Sequence, residues 1–339
     1  MNTLHKNKCT KKISEIASIE NLLTAWNEFA CGKRKKKDVQ EFSMRLMENI
    51  TALYEDIKIH TYHHGPYHQF RITDPKPRVI HKATVRDRLL HHAIYRILYP
   101  IYAKTFIPDS FSCQLNKGTH KAINRFRTYA YIVSKNNTKT CHILKCDIRK
   151  FFASINQAIL MYILKRRITD SDTLWLIEQI IKSHHSGTSG IGFPLGNLTS
   201  QLFCNIYLNE LDQFIKHTLK TPYYIRYADD FIILSQNKVW LEQQIPRIKN
   251  FLHKELKLIL HPNKVFIKTI ASGIDFLGWI HFPDHRVLRR ATRRRMVRRL
   301  MENSKQECKA SYEGLLRHGN TYKIQKQNNI LTSSLGRLH

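Results

Sequence analysis

Acidic residues are scarce in this sequence. The chain has 339 residues, of which 56 are Lys or Arg and only 26 are Asp or Glu, so its formal net charge is +30. A field of this sign attracts phosphate polyanions or anionic membrane surfaces. The length is sufficient for a large core and for two or more lobes, which excludes a simple one-module binder.

Long apolar runs are also missing. No stretch approaches the roughly 18 to 20 apolar residues that span a bilayer, and the lysine-rich start lacks the apolar segment of a secretion signal. We therefore expect a cytoplasmic protein without a membrane partner. Nucleic acid is then the leading candidate for the polyanion.

Metal-binding cysteine patterns are absent as well. The seven cysteines include no C-x-x-C pair, and none of the 19 histidines lies in an H-E-x-x-H motif. This pattern predicts reduced, buried cysteines in preference to disulfides or a zinc site.

The sequence does contain a pair of adjacent aspartates, Asp229 and Asp230, inside "YYIRYADDFIIL". The apolar arms predict a tight hairpin, and an Asp pair at a hairpin tip is often only a turn. A third carboxylate, Asp147, ends the strand-like stretch "CHILKCDIRKFF", on the same face as Lys145. If that strand lies beside the hairpin, the three carboxylates meet and require cations.

Two divalent ions would neutralise such a cluster and support phosphoryl transfer. One ion would lower the pKa of an attacking hydroxyl, and the other would hold a triphosphate and its leaving pyrophosphate. The predicted cofactor is therefore Mg²⁺, as two ions, with Mn²⁺ as an accepted substitute.

From about Tyr67 to the C-terminus, seven ordered blocks resemble those of the reverse transcriptases. The blocks are "PKPRVIHKATVRDRLLHHAI", "FSCQLNKGTHKAI", "CDIRKFF", "PLGNLTSQLFCNIYLNELD", "YADD", "LHPNKVFI" and "FLGWIHF". The resemblance implies an α+β right-hand polymerase with an antiparallel palm sheet, helical fingers and a small basic thumb. It would copy template RNA into cDNA from dNTPs and hold the RNA/cDNA duplex. The expected segments are an N-terminal helical extension (1–66), fingers (67–139), palm with part of the fingers (140–282) and thumb (283–339).

Carried over position by position, the resemblance assigns catalysis and metal binding to the acidic cluster. Asp147 and Asp229 are the main metal ligands, the Ile148 carbonyl contacts one ion, and Asp230 completes the cluster. Phe152 matches the aromatic gate that excludes a ribose 2′-hydroxyl. The alternative for Phe152 is a second core phenylalanine.

The resemblance also assigns cations to the nucleotide. Arg78 matches the fingers residue that binds the triphosphate, because a guanidinium fork suits phosphate oxygens. Arg88 is a neighbour of the same type, although it could equally pair with Asp87 or another structural carboxylate. Lys264 matches a lysine near the leaving pyrophosphate, with a plain surface lysine as the alternative.

The block "LGNLTSQ" departs from the common pattern of Gln-Gly, three residues and Ser-Pro. Leu195 replaces the polar residue that contacts the nucleotide sugar, Gly196 is kept, and Gln201 replaces the proline. A hydrocarbon side chain cannot make that hydrogen bond, so we expect weaker discrimination between right and wrong pairs. This form resembles the reverse transcriptases of diversity-generating retroelements, which make errors at template adenines. That resemblance implies a bacterial or phage origin and a small basic accessory protein.

The basic tail is the expected grip on nucleic acid. Eight arginines lie between Arg286 and Arg299, in a segment able to form a helix. Those expected to contact phosphates are Arg289, Arg290, Arg293, Arg294 and Arg298. Each phosphate contact releases counterions, so binding should depend strongly on salt.

Two other functions use the same fold. An antiphage-defence or retron-type reverse transcriptase would copy a dedicated noncoding RNA with the same palm. A maturase-like RNA-binding protein would keep the fold without catalysis, and the complete acidic triad disfavours it.

Overall fold

The structure is a computed structural model that describes residues 12–73, 76–302 and 306–322. Its described residues form two compact units. The first unit draws on the described residues within Met1–Pro108, Ile148–Lys220 and Arg247–Pro262. The second draws on the described residues within Asp109–Asp147, Thr221–Pro246 and Asn263–His339.

The described chain contains runs of helices interrupted by short groups of antiparallel strands. The helices are α1 (Ile13–Ile16), α2 (Ile19–Ala30), α3 (Lys37–Met44), α4 (Leu46–Lys58), α5 (Val85–Ala103), α6 (Thr119–Val133), α7 (Phe151–Ser154), α8 (Gln157–Lys165), α9 (Ser171–Lys182), α10 (Leu198–Gln213), α11 (Lys238–Leu256), α12 (Arg290–Glu302) and α13 (Gln306–Leu316). The strands are β1 (His68–Ile72), β2 (Arg78–Lys82), β3 (His142–Asp147), β4 (Tyr224–Tyr227), β5 (Asp230–Ser235), β6 (Phe266–Thr269), β7 (Ile274–Phe276), β8 (Trp279–His281) and β9 (Arg286–Leu288). The α+β class with antiparallel sheets that the sequence predicts is confirmed.

Side-chain caps set the start of several helices in the first unit. Ser18, Thr84, Asn156 and Asp170 each accept a hydrogen bond from the backbone N–H three residues later. Such a cap satisfies one of the donors that a helix leaves open at its first turn. The helical spacing over 156–182 predicts one helix, but the stretch forms α8 and α9, because the Asp170 cap starts a new helix.

Pro, Gly and alternating residues around "HHGPYHQFRITDPKPRVIH" predict a short hairpin whose turn holds "DPKP", and this hairpin is confirmed in the first unit. Strands β1 and β2 pair antiparallel, with His68 opposite Lys82 and Ile72 opposite Arg78. Of the predicted turn "DPKP", Asp74 and Pro75 lie outside the described residues.

The central sheet of the second unit has the strand order β4-β5-β3-β6, antiparallel throughout. One face of this sheet packs into a core that includes Ile143, Ile232, Phe126, Phe276 and Trp279. Alternation along β3 and β5 places the apolar residues of this face in line with the acidic ends of both strands. The packing of this face against the core therefore positions the ends of β3 and β5, which carry Asp147 and Asp230.

The composition of "IDFLGWIHF" predicts one strand, but the stretch forms a hairpin. Strands β7 and β8 pair with Phe276 opposite Trp279, and β9 adds a third strand. The two turn residues, Leu277 (φ +52°) and Gly278 (φ +87°), both have left-handed backbones. A two-residue turn with this geometry reverses the chain without splaying the strands, so the apolar run folds back on itself.

Three of the described cysteines bear out the expectation of buried thiols. Cys141, Cys146 and Cys204 are buried, whereas Cys31 and Cys113 are exposed. Burial raises the pKa of the Cys141 thiol to about 12, so this sulfur is a poor nucleophile. Within the described ranges, no helix is both long and apolar enough to cross a lipid bilayer.

Buried histidines in the first unit predict loss of stability in acid. His91 is buried and neither ring nitrogen has a hydrogen-bond partner. Burial lowers the pKa of His91 well below its usual value, and burial, with His81 and His185 adjacent, lowers the pKa of His184 to about 4. The unfolded chain therefore binds more protons between about pH 6.5 and pH 4, so the free energy of unfolding should fall as the pH falls through this window.

Urea unfolding at pH 7, 6, 5 and 4 would measure this loss. We expect His91→Leu to lose less stability than the wild type over the same window, since leucine has no proton to bind. The exposed His253, replaced in the same way, is the matched control. An identical pH dependence for His91→Leu and the wild type would contradict this assignment.

Candidate active site

Two of the predicted aspartates lie directly opposite each other on neighbouring strands of the second unit. Strand β3 pairs with β5 so that Asp147 faces Asp230 and Lys145 faces Ile232. Directly opposed residues of an antiparallel pair share one face of the sheet, and two negative charges in this relation repel. The side chains of Asp147 and Asp230 are 18% and 23% exposed, so solvent screens that repulsion only in part.

Each of these two carboxylates is held by a lysine. The Lys264 ammonium lies 3.0 and 3.1 Å from the two carboxylate oxygens of Asp147. The Lys145 ammonium lies 3.2 Å from Oδ2 of Asp230 and donates a hydrogen bond of 2.7 Å to the backbone carbonyl of Asp275. The lysines offset the repulsion between the opposed carboxylates.

Asp229 lies at the tip of the hairpin between β4 and β5. Because Tyr227 pairs with Asp230, the turn consists of Ala228 and Asp229 alone. Ala228 has φ +55°, a left-handed conformation that favours glycine. The fully buried Arg226 braces this turn by donating a 3.2 Å hydrogen bond to the Ala228 carbonyl. Backbone strain of this kind clusters at functional sites.

The pKa of the Asp230 carboxyl is raised above its usual value. Burial, together with the charges of Asp147 and Asp229, raises its pKa to about 6, although Lys145 acts in the opposite direction. Oδ1 of Asp230 is buried and accepts no hydrogen bond. A buried acceptor without a donor is costly, so this oxygen suits a cation.

The acidic cluster fits a divalent ion by its chemistry. Within 12–73, 76–302 and 306–322, no group of three or more His, Cys, Asp or Glu side chains is already arranged to hold a metal ion, and Asp147 and Asp230 contact lysines instead. Mg²⁺ and Mn²⁺ prefer carboxylate oxygens, and Oδ1 of Asp230 is such an oxygen without a partner. Asp147, Asp229 and Asp230 are the residues that would hold the ion, and it would have to displace Lys264 from Asp147.

Of the two arginines predicted for the nucleotide, one is paired within the protein. Arg88 lies 2.6 Å from Oδ2 of Asp38, and Lys82 lies 2.6 Å from the same oxygen. This is the structural carboxylate that the sequence left open as an alternative partner for Arg88. Arg78 begins β2 and is exposed.

The "LGNLTSQ" block is anchored to β2 within the first unit. The Leu195 carbonyl accepts a hydrogen bond of 2.9 Å from the His81 backbone N–H, and the Asn197 side chain donates one of 2.9 Å to the His81 carbonyl. Gln201 follows in the first turn of α10 and is partly buried. The predicted positioning motif and the strand that carries Arg78 are therefore neighbours.

Glycine is the only residue type that fits at position 196. Its φ is +108°, and an added Cβ would lie 2.7 Å from the Cγ2 of Ile80 on β2. Both the backbone conformation and the lack of space exclude a side chain. The close approach of the block to β2 depends on this glycine.

Phe151 and Phe152 have different environments in the first unit. Phe151 is buried, whereas Phe152 is partly exposed, with 5.5 Å between the two ring centroids. The Phe152 carbonyl accepts a hydrogen bond of 2.7 Å from the Phe193 N–H. Phe151 is thus the core residue of the pair. Ile148, also in this unit, is buried and forms a bridge with Leu260.

Helix α12 in the second unit is amphipathic. Met296 is buried in the core, and Val297 and Leu300 pack against that core. The exposed arginines of α12 are Arg290, Arg293, Arg294, Arg298 and Arg299. Arg289, which precedes the helix, is less exposed and lies 3.2 Å from Oδ2 of Asp275. Four of the five predicted arginines therefore share an exposed surface, and Arg289 contacts the β7–β8 hairpin.

Sequence patterns did not single out two residues that contact this site. Lys145 binds Asp230, and Tyr227, opposite Asp230, bonds through its hydroxyl to Thr119 at 3.1 Å. A signal existed for Lys145, because alternation places it on the same face as Asp147. A lysine facing inward from a buried strand requires a partner.

Comparison with known proteins identifies the family of this chain. Residues 72–281, more than half of the chain, match the family described as "Reverse transcriptase (RNA-dependent DNA polymerase)". Protein YkfC of Escherichia coli (strain K12) is 24% identical over 298 residues, covering 75% of this chain and 76% of YkfC. Group II intron-encoded protein LtrA of Lactococcus lactis subsp. cremoris is 24% identical over 323 residues, covering 73% of this chain and 51% of LtrA.

A solved structure supports the fold alone. Telomerase from Candida albicans, in complex with a TWJ fragment of telomeric RNA, matches with a TM-score of 0.50 and 13% identity, covering 72% of this chain and 49% of the telomerase chain. The chain thus spans about half the length of LtrA and of this telomerase. The predicted right-hand polymerase class is confirmed, and the chain belongs to the reverse transcriptase (RNA-dependent DNA polymerase) family.

Proposed function

We propose that this chain makes cDNA on an RNA template by nucleotidyl transfer at the acidic cluster. The observation that carries the proposal is the placement of Asp147 opposite Asp230, with Asp229 at the adjacent hairpin tip. Three carboxylates at the ends of paired strands can hold cations where a triphosphate must be neutralised. In the proposed reaction the primer 3′-oxygen forms a bond to the α-phosphorus of a dNTP, and the bond from that phosphorus to the pyrophosphate oxygen breaks.

The chain's own residues would bind and orient the reactants. Asp147, Asp229 and Asp230 would hold divalent ions, which, when bound, lower the pKa of the primer hydroxyl and neutralise the triphosphate. Arg78, exposed on β2, would bind the triphosphate, and Lys264 would move from Asp147 to the leaving pyrophosphate. The partly exposed ring of Phe152 would exclude the ribose 2′-hydroxyl.

The segment boundaries form part of the same proposal. Residues 1–66 would be a helical extension, 67–139 the fingers, 140–282 the palm with part of the fingers, and 283–339 the thumb. The thumb arginines would hold the RNA/cDNA duplex, as basic side chains do with phosphates.

We further propose that copying is error-prone at template adenines, as in a diversity-generating retroelement. The basis is Leu195, an apolar side chain where a polar one would hydrogen-bond the nucleotide sugar. A site that hydrogen-bonds its substrate discriminates strongly, and a hydrocarbon at the same place does not. A small basic accessory protein belongs to this proposal as a partner.

Sequencing cDNA made by the purified chain, with and without its accessory protein, tests both proposals: cDNA synthesis on an RNA template and errors at template adenines. We expect cDNA with substitutions concentrated opposite template adenines. Accurate cDNA would contradict the diversity-generating role and leave the polymerase assignment in place. A dedicated noncoding RNA copied faithfully would favour the retron or defence function instead.

Leu195→Gln is expected to improve fidelity at adenines by about tenfold, the effect of one added hydrogen bond of about 1.4 kcal/mol. The error rate per template adenine, read by deep sequencing, is the measurement. Leu198→Gln, the same change three residues later, is the matched control and should leave the error rate unchanged. An unchanged error rate in Leu195→Gln would contradict the role of Leu195.

A further inference from the structure

Lys145 lies in an environment that disfavours a lysine. It occupies the middle of β3, its side chain is only 14% exposed, and its ammonium lies 6.0 Å from the ring centroid of Phe276 in the core. Placing a positive charge there is costly unless several polar atoms receive it. The contacts of the Lys145 ammonium therefore indicate the role of this side chain.

The ammonium of Lys145 joins two sheets of the second unit. It contacts Oδ2 of Asp230 on β5 at 3.2 Å and the backbone carbonyl of Asp275 on β7 at 2.7 Å. Because it uses only Oδ2, Oδ1 of Asp230 stays without a hydrogen bond. The contact thus fixes the carboxylate in an orientation that leaves one oxygen for a cation.

The polar contacts continue from Asp275 to the basic helix. The Asp275 carboxylate lies 3.2 Å from the Arg289 guanidinium, and the Arg289 backbone N–H donates a 3.0 Å hydrogen bond to Gly278 in the β7–β8 turn. Arg289 immediately precedes α12. A continuous set of contacts therefore runs from Asp230 through Lys145, Asp275 and Arg289 to the exposed arginines.

We propose that Lys145 is a positioning residue that ties the Asp230 carboxylate to the β7–β8 hairpin and thereby couples cation binding at the acidic cluster to duplex binding at α12. The inference rests on the proposed function, which it deepens. Contiguous contacts alone do not establish coupling, so the proposal requires a direct measurement of it. The opposing possibility is that Lys145 only competes with the cation for Asp230.

The first measurement is Mn²⁺ binding by the full chain without nucleotide, followed by electron paramagnetic resonance of the free ion. Lys145→Met keeps most of the side-chain volume and removes the charge. We expect its dissociation constant for Mn²⁺ to rise about tenfold, with partial recovery in Lys145→Arg. Tighter or unchanged Mn²⁺ binding by Lys145→Met would overturn the proposal, since loss of a competitor predicts tighter binding.

Lys268→Met is the matched control, because Lys268 is an exposed lysine on β6 of the same sheet. It should bind Mn²⁺ as the wild type does. Circular dichroism melting of each variant separates a loss of folding from a loss of positioning. If Lys145→Met does not fold, Lys145→Arg is measured in its place. The proposal would be overturned if Lys145→Arg had the same dissociation constant for Mn²⁺ as the wild type and if the duplex changed that constant equally in both proteins.

The second measurement is the change in Mn²⁺ affinity when a primer–template duplex is added. We expect the duplex to tighten Mn²⁺ binding in the wild type, and this change to be reduced at least threefold in both Lys145→Met and Arg289→Met. In the double variant the two losses should not add, because both residues act through one set of contacts. If the duplex tightened Mn²⁺ binding as much in Lys145→Met as in the wild type, the proposed coupling would be wrong.

Failure of the proposed function has a different signature. A wild type that binds Mn²⁺ and duplex but does not extend the primer contradicts polymerisation, while the Mn²⁺ comparison still tests Lys145. A wild type that binds no Mn²⁺ overturns both.

Discussion

Asp147→Asn is expected to abolish DNA synthesis while the chain still binds an RNA–DNA duplex. Asparagine keeps the shape of the side chain and removes the charge that a divalent ion requires. Loss of one ligand should slow incorporation by at least about a thousandfold, which corresponds to ~4 kcal/mol of lost transition-state stabilisation. Asp229→Asn should have a similar effect, because Asp229 belongs to the same predicted ligand set.

The fold should tolerate Asp147→Asn. The change removes one of two opposed negative charges, and Lys264, which loses its partner, is 42% exposed and can be solvated. Single-nucleotide primer extension and filter binding of the same duplex give the two readouts. Asp284→Asn, an exposed aspartate between β8 and β9, is the control and should extend primers normally. Normal extension by Asp147→Asn or Asp229→Asn would contradict the active-site assignment.

Replacing Arg290, Arg294 and Arg298 together with glutamine is expected to weaken duplex binding severely and to reduce its salt dependence. Each phosphate contact contributes about 0.9 to the slope of log affinity against log salt, so three lost contacts should reduce the slope by about 2.7. Between 50 and 200 mM salt, the variant should therefore lose roughly 40-fold less affinity than the wild type. At low salt its affinity should be about a hundredfold lower.

Fluorescence anisotropy of a labelled duplex across this salt range is the measurement. The matched control is the triple change of Lys249, Lys254 and Lys257 to glutamine, which removes the same charge from exposed positions on and just after α11. If both triple variants lose the same affinity and slope, the net charge of the chain governs binding and the specific role of α12 is wrong.

Local patterns predict the acidic hairpin well but not its contacts. The apolar arms around Asp229 and Asp230 predict β4 and β5 to within a residue, since apolar arms on either side of a short polar turn have few other solutions. Alternation also predicts that Lys145 and Asp147 share a face. The pairing of Lys145 with the Asp275 carbonyl joins residues 130 positions apart, and no local pattern contains that information.

Turn chemistry explains the main errors in the strands and helices. "IDFLGWIHF" has the composition of one strand, yet left-handed conformations at Leu277 and Gly278 fold it into two. Asp170 similarly divides the helix predicted over 156–182. In both places one or two residues reverse or restart the chain within a stretch whose overall composition suggests continuity.

The sequence by itself determined the family, the order of the motifs, the excess of positive charge and the positions of the three aspartates within those motifs, because these depend only on residue type and spacing. Only the tertiary structure decided which charges neutralise each other. Arg88 pairs with Asp38, and Arg289 pairs with Asp275. Lys145 contacts both Asp230 and the Asp275 carbonyl on β7. The physical reason is that the energy of a charge depends on its burial and its partners, and both are set by distant segments that meet only when the chain folds.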